Sequence, residues 1–189
     1  DPATGIVEIK VYLDPSTGYN PSGITLAEGA DHLLYGVTQS GGANGVGVLF
    51  SYDFNTEMYS PVYHFDTGNN NGNVSLASDG NLYGIHSAAN YLYKYFSPGN
   101  VDVMHQFGTD SLGLHPQGRL EADSTGMLWG ITRDGGMSNS GTIYSYDTEY
   151  GHFTKLSDLA SAGCAYPMGS LTRPSNGKLY GVTLGKPGI

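Results

Sequence analysis

The sequence predicts an all-β protein, a β-propeller built from four-stranded antiparallel blades, with about four blades and an incomplete terminal blade. A repeated five-residue phrase is the main reason, because its copies lie roughly 50 residues apart, a period typical of propellers and other repeat architectures. Composition agrees, since 29 glycines and 15 tyrosines suit tight turns and aromatic strands. The four copies are Leu34-Tyr35-Gly36-Val37-Thr38, Leu82-Tyr83-Gly84-Ile85-His86, Leu128-Trp129-Gly130-Ile131-Thr132 and Leu179-Tyr180-Gly181-Val182-Thr183.

Each copy of the phrase is predicted to be the second strand of a blade. A first strand, marked by a leucine, precedes it across a short turn. Asp-Gly and Asn-Gly pairs favour the positive φ angles that two-residue hairpin turns need. The leucines are Leu26, Leu76, Leu120 and Leu171, and the turns are Asp31-His32, Asp79-Gly80, Thr125-Gly126 and Asn176-Gly177.

Third and fourth strands follow the phrase in the first three copies. Large apolar residues alternate there with small or polar ones, which indicates strands with one buried face. The third strands are predicted over 46–52, 91–95 and 141–146, and the fourth over 61–65, 103–107 and 153–156. Residues 7–13 match the fourth-strand pattern as well, so we expect a strand there.

These patterns divide the chain, as one propeller-type domain over 1–189, into three full blades and two partial ones. The full blades are 22–71, 72–116 and 117–167, and the partial blades are 1–21 and 168–189. Three arrangements of the ends remain open. The ring closes on itself with an irregular last blade, the chain is a piece of a longer propeller, or separate chains complete each other's blades as a dimer or polymer.

Charge and hydropathy exclude two classes of partner. The formal net charge is −9 and there are only eight Lys and Arg residues, so the basic patch that nucleic acid requires is not expected. No apolar run approaches the length of a membrane span, so membrane insertion is not expected either. The single Cys164 allows no intrachain disulfide.

The repeated pattern resembles the GloVer-type tandem repeat of exported bacterial proteins. Its glycine loop is carried by Gly41-Gly42 and Gly135-Gly136, and the end of its fourth strand by His105-Gln106-Phe107. The second copy departs from the pattern, because 87–90 replace the Gly-Gly loop. The resemblance implies a propeller-like fold and an extracellular or cell-surface location, and it implies no catalytic residue.

No catalytic constellation is predicted from the residues themselves. Most aspartates recur at equivalent turns, where Asp bonds its own backbone. Glu28 and Glu121 do not fit that explanation, so they are the pair to consider for a carbohydrate-active enzyme. The six histidines show no spacing typical of a zinc site. We therefore expect no cofactor and no metal.

Binding residues are predicted on two loops that should emerge on the same rim, over 39–45 and 133–140, because loops on rigid scaffolds commonly carry binding. His86 is added because the other three copies place Thr at its position. The candidates are Ser40, Asn44, Arg133, Asp134, Ser138, Asn139 and His86.

The sequence thus favours a non-catalytic extracellular module with a structural or protein-interaction role, including self-assembly through its incomplete end blades. The first alternative is a glycan-binding, lectin-like propeller whose tyrosines stack on sugar rings. The second is a carbohydrate-active enzyme domain.

Overall fold

The structure, a computed structural model, describes residues 3–21, 25–68, 70, 72–96, 99–108 and 111–185. Among these residues there are three four-stranded antiparallel sheets and one two-stranded antiparallel sheet. The first sheet contains β1 (Ala27–Glu28), β2 (Leu34–Val37), β3 (Val48–Asp53) and β4 (Met58–His64). The second contains β5 (Val74–Leu76), β6 (Leu82–His86), β7 (Tyr91–Phe96) and β8 (Asn100–Gln106). The third contains β9 (Leu114–Ala122), β10 (Met127–Asp134), β11 (Thr142–Asp147) and β12 (His152–Asp158), and the fourth contains β13 (Ala165–Thr172) and β14 (Tyr180–Gly185).

Each strand pairs with the next strand along the chain, so every four-stranded sheet is a simple antiparallel meander. The same irregularity recurs between the third and fourth strands of each of these sheets. The register shifts at Leu49/Phe50, Leu92/Tyr93 and Ile143/Tyr144. A bulge of this kind bends and twists the outer strand. The prediction of an all-β fold built from four-stranded antiparallel sheets is therefore confirmed.

The first strands of successive sheets lie beside one another: β1 contacts β5, β5 contacts β9, and β9 contacts β13. Hydrogen bonds join them. The Ser75 hydroxyl donates to the Leu120 carbonyl oxygen over 2.7 Å, and the Arg119 backbone N–H donates to Ser170 Oγ over 2.8 Å. The sheets consequently meet along their inner strands, with β4, β8 and β12 on the outside.

The apolar core is the space between consecutive sheets. One cluster, which includes Tyr35 and Tyr93, fills the space between the first and second sheets. Another, which includes Tyr83 and Tyr144, fills the space between the second and third. The phrase glycine leaves room for the ring opposite, since a Cβ on Gly84 would lie 2.3 Å from Tyr93 Cζ. The phrase glycine therefore permits the close approach of an aromatic ring.

Two details differ from the sequence prediction. Residues 7–13 form no strand. In each four-stranded sheet the fourth strand pairs with the third strand. Residues 7–13 have no such partner, because no described strand pairs with them. In addition, β9 crosses the predicted boundary between 116 and 117, because Leu114 and Pro116 already pair with Asp134 and Thr132. No helix among the described residues is long and apolar enough to cross a membrane.

Candidate functional site

The two candidates on the first rim loop help to hold that loop in place. The backbone of Ser40 pairs with Tyr19, whose N–H donates to the Ser40 carbonyl oxygen over 2.8 Å. Asn44 Nδ2 donates to the Phe65 carbonyl oxygen over 2.9 Å. Asn44 is nevertheless exposed. These contacts fix the loop against the segment before the first sheet and against the end of β4.

On the second rim loop, Asp134 forms a small polar cluster that the sequence did not reveal. Its Oδ2 accepts a hydrogen bond from Arg133 Nε over 2.8 Å and lies 2.7 Å from His115 Nδ1. The Asp134 carboxylate is mostly buried, and the Arg133 and His115 side chains are about half exposed. His115 stands 19 residues before Asp134, and only the pairing of β9 with β10 brings them together.

The remaining candidates of that loop serve its turn geometry. Asn139 Oδ1 accepts a hydrogen bond from the Gly135 N–H over 2.7 Å, and the Ser138 carbonyl oxygen accepts one from Ser140 Oγ over 3.2 Å. Ser138 and Asn139 have φ angles of 60° and 52°, the left-handed region that favours glycine. Both side chains remain exposed.

His86 is fully buried, so the prediction that it belongs to a rim surface is wrong. Its ring packs against Phe65 and Tyr91, with centroid separations of 5.1 and 4.9 Å. Burial lowers the pKa of His86 to about 4, because desolvation disfavours the charged imidazolium. The equivalent Thr38 and Thr132 are buried as well, which shows that this position of the phrase points inward in three copies.

The two glutamates that an enzyme would need are engaged with separate partners. Glu28, in the first sheet, lies 3.2 Å from His32 Nδ1 at the surface. Glu121, in the third sheet, accepts a hydrogen bond from the Arg173 backbone N–H over 3.1 Å. The described residues hold no group of three or more His, Cys, Asp or Glu side chains arranged to bind a metal ion.

Many of the tyrosines lie in the spaces between sheets and not on a rim. Burial raises their pKa values, because the phenolate is disfavoured away from water. These rings cannot stack on a sugar without separating the sheets. The buried set is Tyr35, Tyr83, Tyr93, Tyr95, Tyr144 and Tyr146.

Two apolar surfaces remain, one at each end of the stack of sheets. The outer face of the first sheet, here called the first end face, borders a cavity of about 520 Å³. Lys10, Val11 and Leu13, from the segment before the first sheet, line one side of this cavity. Among the residues that the structure describes, none hydrogen-bonds the buried hydroxyl of Tyr52. The cavity is lined by Lys10, Val11, Leu13, Pro21, Leu26, Leu34, Phe50, Tyr52 and Tyr59.

The outer face of the fourth sheet, here called the second end face, exposes a row of large apolar side chains. Tyr180, Val182 and Leu184 alternate along β14 and are 51%, 67% and 72% exposed. Met168 of β13 pairs with Val182 and is also exposed. The equivalent phrase residues of the first sheet, Tyr35 and Val37, are 3% and 0% exposed, because the second sheet covers them.

No protein-family model and no curated protein matches the sequence. Solved structures do match the fold. A streptogramin B lyase matches with a TM-score of 0.62 and 16% identity, over 85% of this chain and 47% of that protein. A gluconolactonase from Xanthomonas campestris matches with a TM-score of 0.62 and 11% identity, over 91% and 56%. TolB from Acinetobacter baumannii matches with a TM-score of 0.57 and 17% identity, over 97% and 44%.

The chain has the fold of part of a β-propeller. It spans about half the length of the solved structures that it matches. At these identities the likeness concerns the fold alone, because one fold hosts many unrelated functions.

Proposed function

We propose that this chain is a non-catalytic structural and protein-interaction module of the propeller kind, and that its two end faces dock further sheets of the same type. The observation that carries the proposal is the second end face. Tyr180, Val182 and Leu184 are exposed there, whereas the matching face of the first sheet is covered by the second sheet.

The energetics favour a covered state for these faces. Burying one large apolar side chain contributes roughly 1.5–3 kcal/mol. Three such residues on β14, with Met168 beside them, form a contiguous patch of the kind that marks an interaction site in soluble proteins. The first end face adds Phe50 and Leu26 around its cavity.

The location that we propose is extracellular or at the cell surface. Support comes from the resemblance of the repeated phrase and its glycine loops to the GloVer-type repeat of exported bacterial proteins. The negative net charge of −9 is compatible with that setting.

Dye binding tests the role of the end faces. At dilutions where the chain sediments as a monomer, an apolar dye such as bis-ANS should bind the second end face, and Val182→Glu should reduce its fluorescence strongly. Val103→Glu is the matched control, since Val103 is 53% exposed on the outer strand β8, away from both end faces. Equal dye binding by the protein and both variants would contradict the proposal.

A further inference from the structure

We infer that the partner of each end face is a second copy of this chain, stacked head to tail so that Tyr180 of one copy packs on Tyr52 of the other. The inference rests on the proposed docking function and names its partner. It follows from a pairing rule that the structure shows twice.

The rule joins the phrase aromatic of one sheet to a third-strand tyrosine of the next sheet. Tyr35 packs against Tyr95 with ring centroids 5.8 Å apart. Tyr83 packs against Tyr146 in the same way, at 6.2 Å and with nearly the same interplanar angle, 48° against 51°. Tyr95 and Tyr146 occupy equivalent places, opposite Leu82 and Leu128 of their own sheets.

Each end face carries one half of this pair. Tyr52 lies opposite Leu34 in the first sheet, which is the place of Tyr95 and Tyr146. Tyr180 is the phrase aromatic of the fourth sheet and is 51% exposed. If the first sheet of a second copy follows the fourth sheet of this copy as the second sheet follows the first, Tyr180 of this copy lies against Tyr52 of the second copy.

The polar groups fit this placement too. Asp31, in the turn of the first sheet, lies close to Tyr95 of the second sheet. Burial raises the pKa of Tyr95, and the negative charge of Asp31 raises it further.

Asn176 holds the equivalent turn position in the fourth sheet, where its Nδ2 donates to Tyr180 Oη over 2.9 Å. Asn176 Oδ1 accepts a hydrogen bond from the Lys178 N–H over 3.0 Å, and its second lone pair would face the partner copy. The Tyr52 hydroxyl is buried and has no hydrogen-bond partner among the described residues, so the contact with Asn176 requires Tyr52 to turn into the cavity that it lines.

The segment before the first sheet leaves room for the partner. In the repeat, Leu13 aligns with Phe65 and Phe107, which come at the ends of the fourth-strand segments of the first two sheets. Phe65 packs on Tyr93, the ring that lies over Gly84. Phe107 packs on Tyr144, the ring that lies over Gly130. Leu13 lines the same cavity as Phe50, the ring above Gly36. Residues 7–13 therefore lie where an outer strand would be, and the cavity is the place for the inner strands of the partner's fourth sheet.

Two copies that each carry both halves of the contact can join each other at both ends. Such a dimer would place eight sheets around one axis, since each copy contributes three four-stranded sheets and one two-stranded sheet among its described residues. A head-to-tail contact that repeats around a two-fold axis closes into a ring, whereas one that does not close gives a filament. The inference is a closed dimer with two identical Tyr180–Tyr52 contacts.

Sedimentation equilibrium of the full chain and two exposed-face variants tests this arrangement. Tyr180→Glu changes the second end face and Leu26→Glu the first, and both residues are about half exposed, so neither change should unfold the monomer. We expect each variant to dimerise at least tenfold more weakly than the unchanged chain. Mixing the two should restore a dimer, because one unaltered interface then forms, and Val103→Glu should dimerise normally.

A second pair of variants tests the contact itself. Tyr52→Phe removes a hydroxyl that has no hydrogen-bond partner among the described residues, so the unfolding transition of the monomer should not weaken. Dimerisation should weaken by roughly fivefold to tenfold for each contact, the usual worth of one hydrogen bond, and so by about 25-fold to 100-fold for a dimer with two such contacts. Asn176→Ala should weaken dimerisation similarly, and combining it with Tyr52→Phe should add little.

The outcomes separate the partner from the docking role. A chain that stays monomeric at all concentrations, or a dimer that mixing does not restore, would overturn the head-to-tail pair. If dye binding still depended on Val182, the docking role would stand with another partner. If dye binding did not depend on Val182, both proposals would be wrong.

Discussion

Tyr83 donates its hydroxyl hydrogen to Asp79 Oδ2, 2.9 Å away, across the hairpin turn between β5 and β6. Tyr35 makes the same bond to Asp31 over 2.6 Å. The bond ties a turn at the edge of each sheet to a ring in the space between sheets. Burial alone would raise the pKa of Asp79, but hydrogen bonds from Asn81, Tyr83 and Lys94 outweigh burial and lower it.

Removing this hydroxyl should destabilise the protein. Tyr83→Phe leaves the ring packed and deletes a bond to a charged acceptor, so we expect the free energy of unfolding to fall by about 1–2 kcal/mol. Urea unfolding at neutral pH measures the change. Tyr150→Phe is the control, because Tyr150 is 66% exposed, and its unfolding should not change. Equal effects of the two substitutions would show that the turn bond contributes nothing.

The phrase glycine should tolerate no side chain where an aromatic ring covers it. An added Cβ on Gly84 would lie 2.3–2.8 Å from ring atoms of Tyr93, which is fully buried. Gly84→Ala should therefore cost about 3 kcal/mol, the upper end of the usual cost of overpacking. Gly108→Ala is the control, since no atom of the described residues, its chain neighbours aside, lies within 4 Å of a Cβ there.

A double variant identifies the cause of that loss. Tyr93→Leu removes the ring from above Gly84, so Gly84→Ala should cost far less in the Tyr93→Leu background than alone. Unfolding free energies of the four proteins form a double-mutant cycle. Additive losses would show that the Tyr93 ring is not the cause of the loss.

His86 should make stability depend on pH in a defined window. Its pKa is about 4 in the folded protein against 6.5 for the exposed group, so the unfolded chain binds more protons between these values. The folded state loses stability as the pH falls from about 6.5 to about 4, by up to about 3 kcal/mol. Above pH 6.5 this histidine has no effect on the pH dependence.

His86→Thr, the residue found in the other three copies, should flatten the stability profile in that window. The comparison concerns the slope between pH 6.5 and pH 4, because lost packing lowers stability at every pH. Burial also lowers the pKa of His105, which contributes in the same direction to both proteins. An unchanged slope would show that His86 is accessible to water in the folded state.

Arg173 should hold the fourth sheet against the third. Its guanidinium lies 4.8 Å from the Trp129 ring centroid, and its Nη1 lies 2.9 Å from Asp123 Oδ2. Arg173→Ala should accelerate amide hydrogen exchange in β13 and β14 while leaving the second sheet unchanged, at a cost of about 1 kcal/mol. Lys178→Ala, an exposed change in the same hairpin, should have no such effect.

Local patterns predicted the fold because one repeated phrase determines strand, turn and core position together. Gly84 lies beneath the ring of Tyr93, and Gly130 lies beneath the ring of Tyr144. Both glycines could be located from the repeated phrase alone. The strand predicted over 7–13 is absent because the alternation of residue types shows only which residues suit a strand. A strand also needs a neighbouring strand to pair with, and the sequence pattern does not show whether one is present. The His86 error has a similar origin, since a position at the end of a strand is buried or exposed according to the next sheet.

The candidate site was less predictable because it depends on contacts between sheets. The polar residues of the rim loops could be located from the Gly-Gly pattern, but their bonds to their own loops could not. Similarly, nothing in the phrase distinguishes Tyr180 from Tyr35, and only the structure shows that one is half exposed and the other buried.

Amide hydrogen exchange at increasing protein concentration shows whether the end faces are the interaction surfaces. We expect exchange to slow in β14 and in β3 as the concentration rises, with no change in the rim loops 39–45 and 133–140. Exchange in β3 and β14 that does not depend on concentration, with slowing confined to the rim loops, would contradict this expectation.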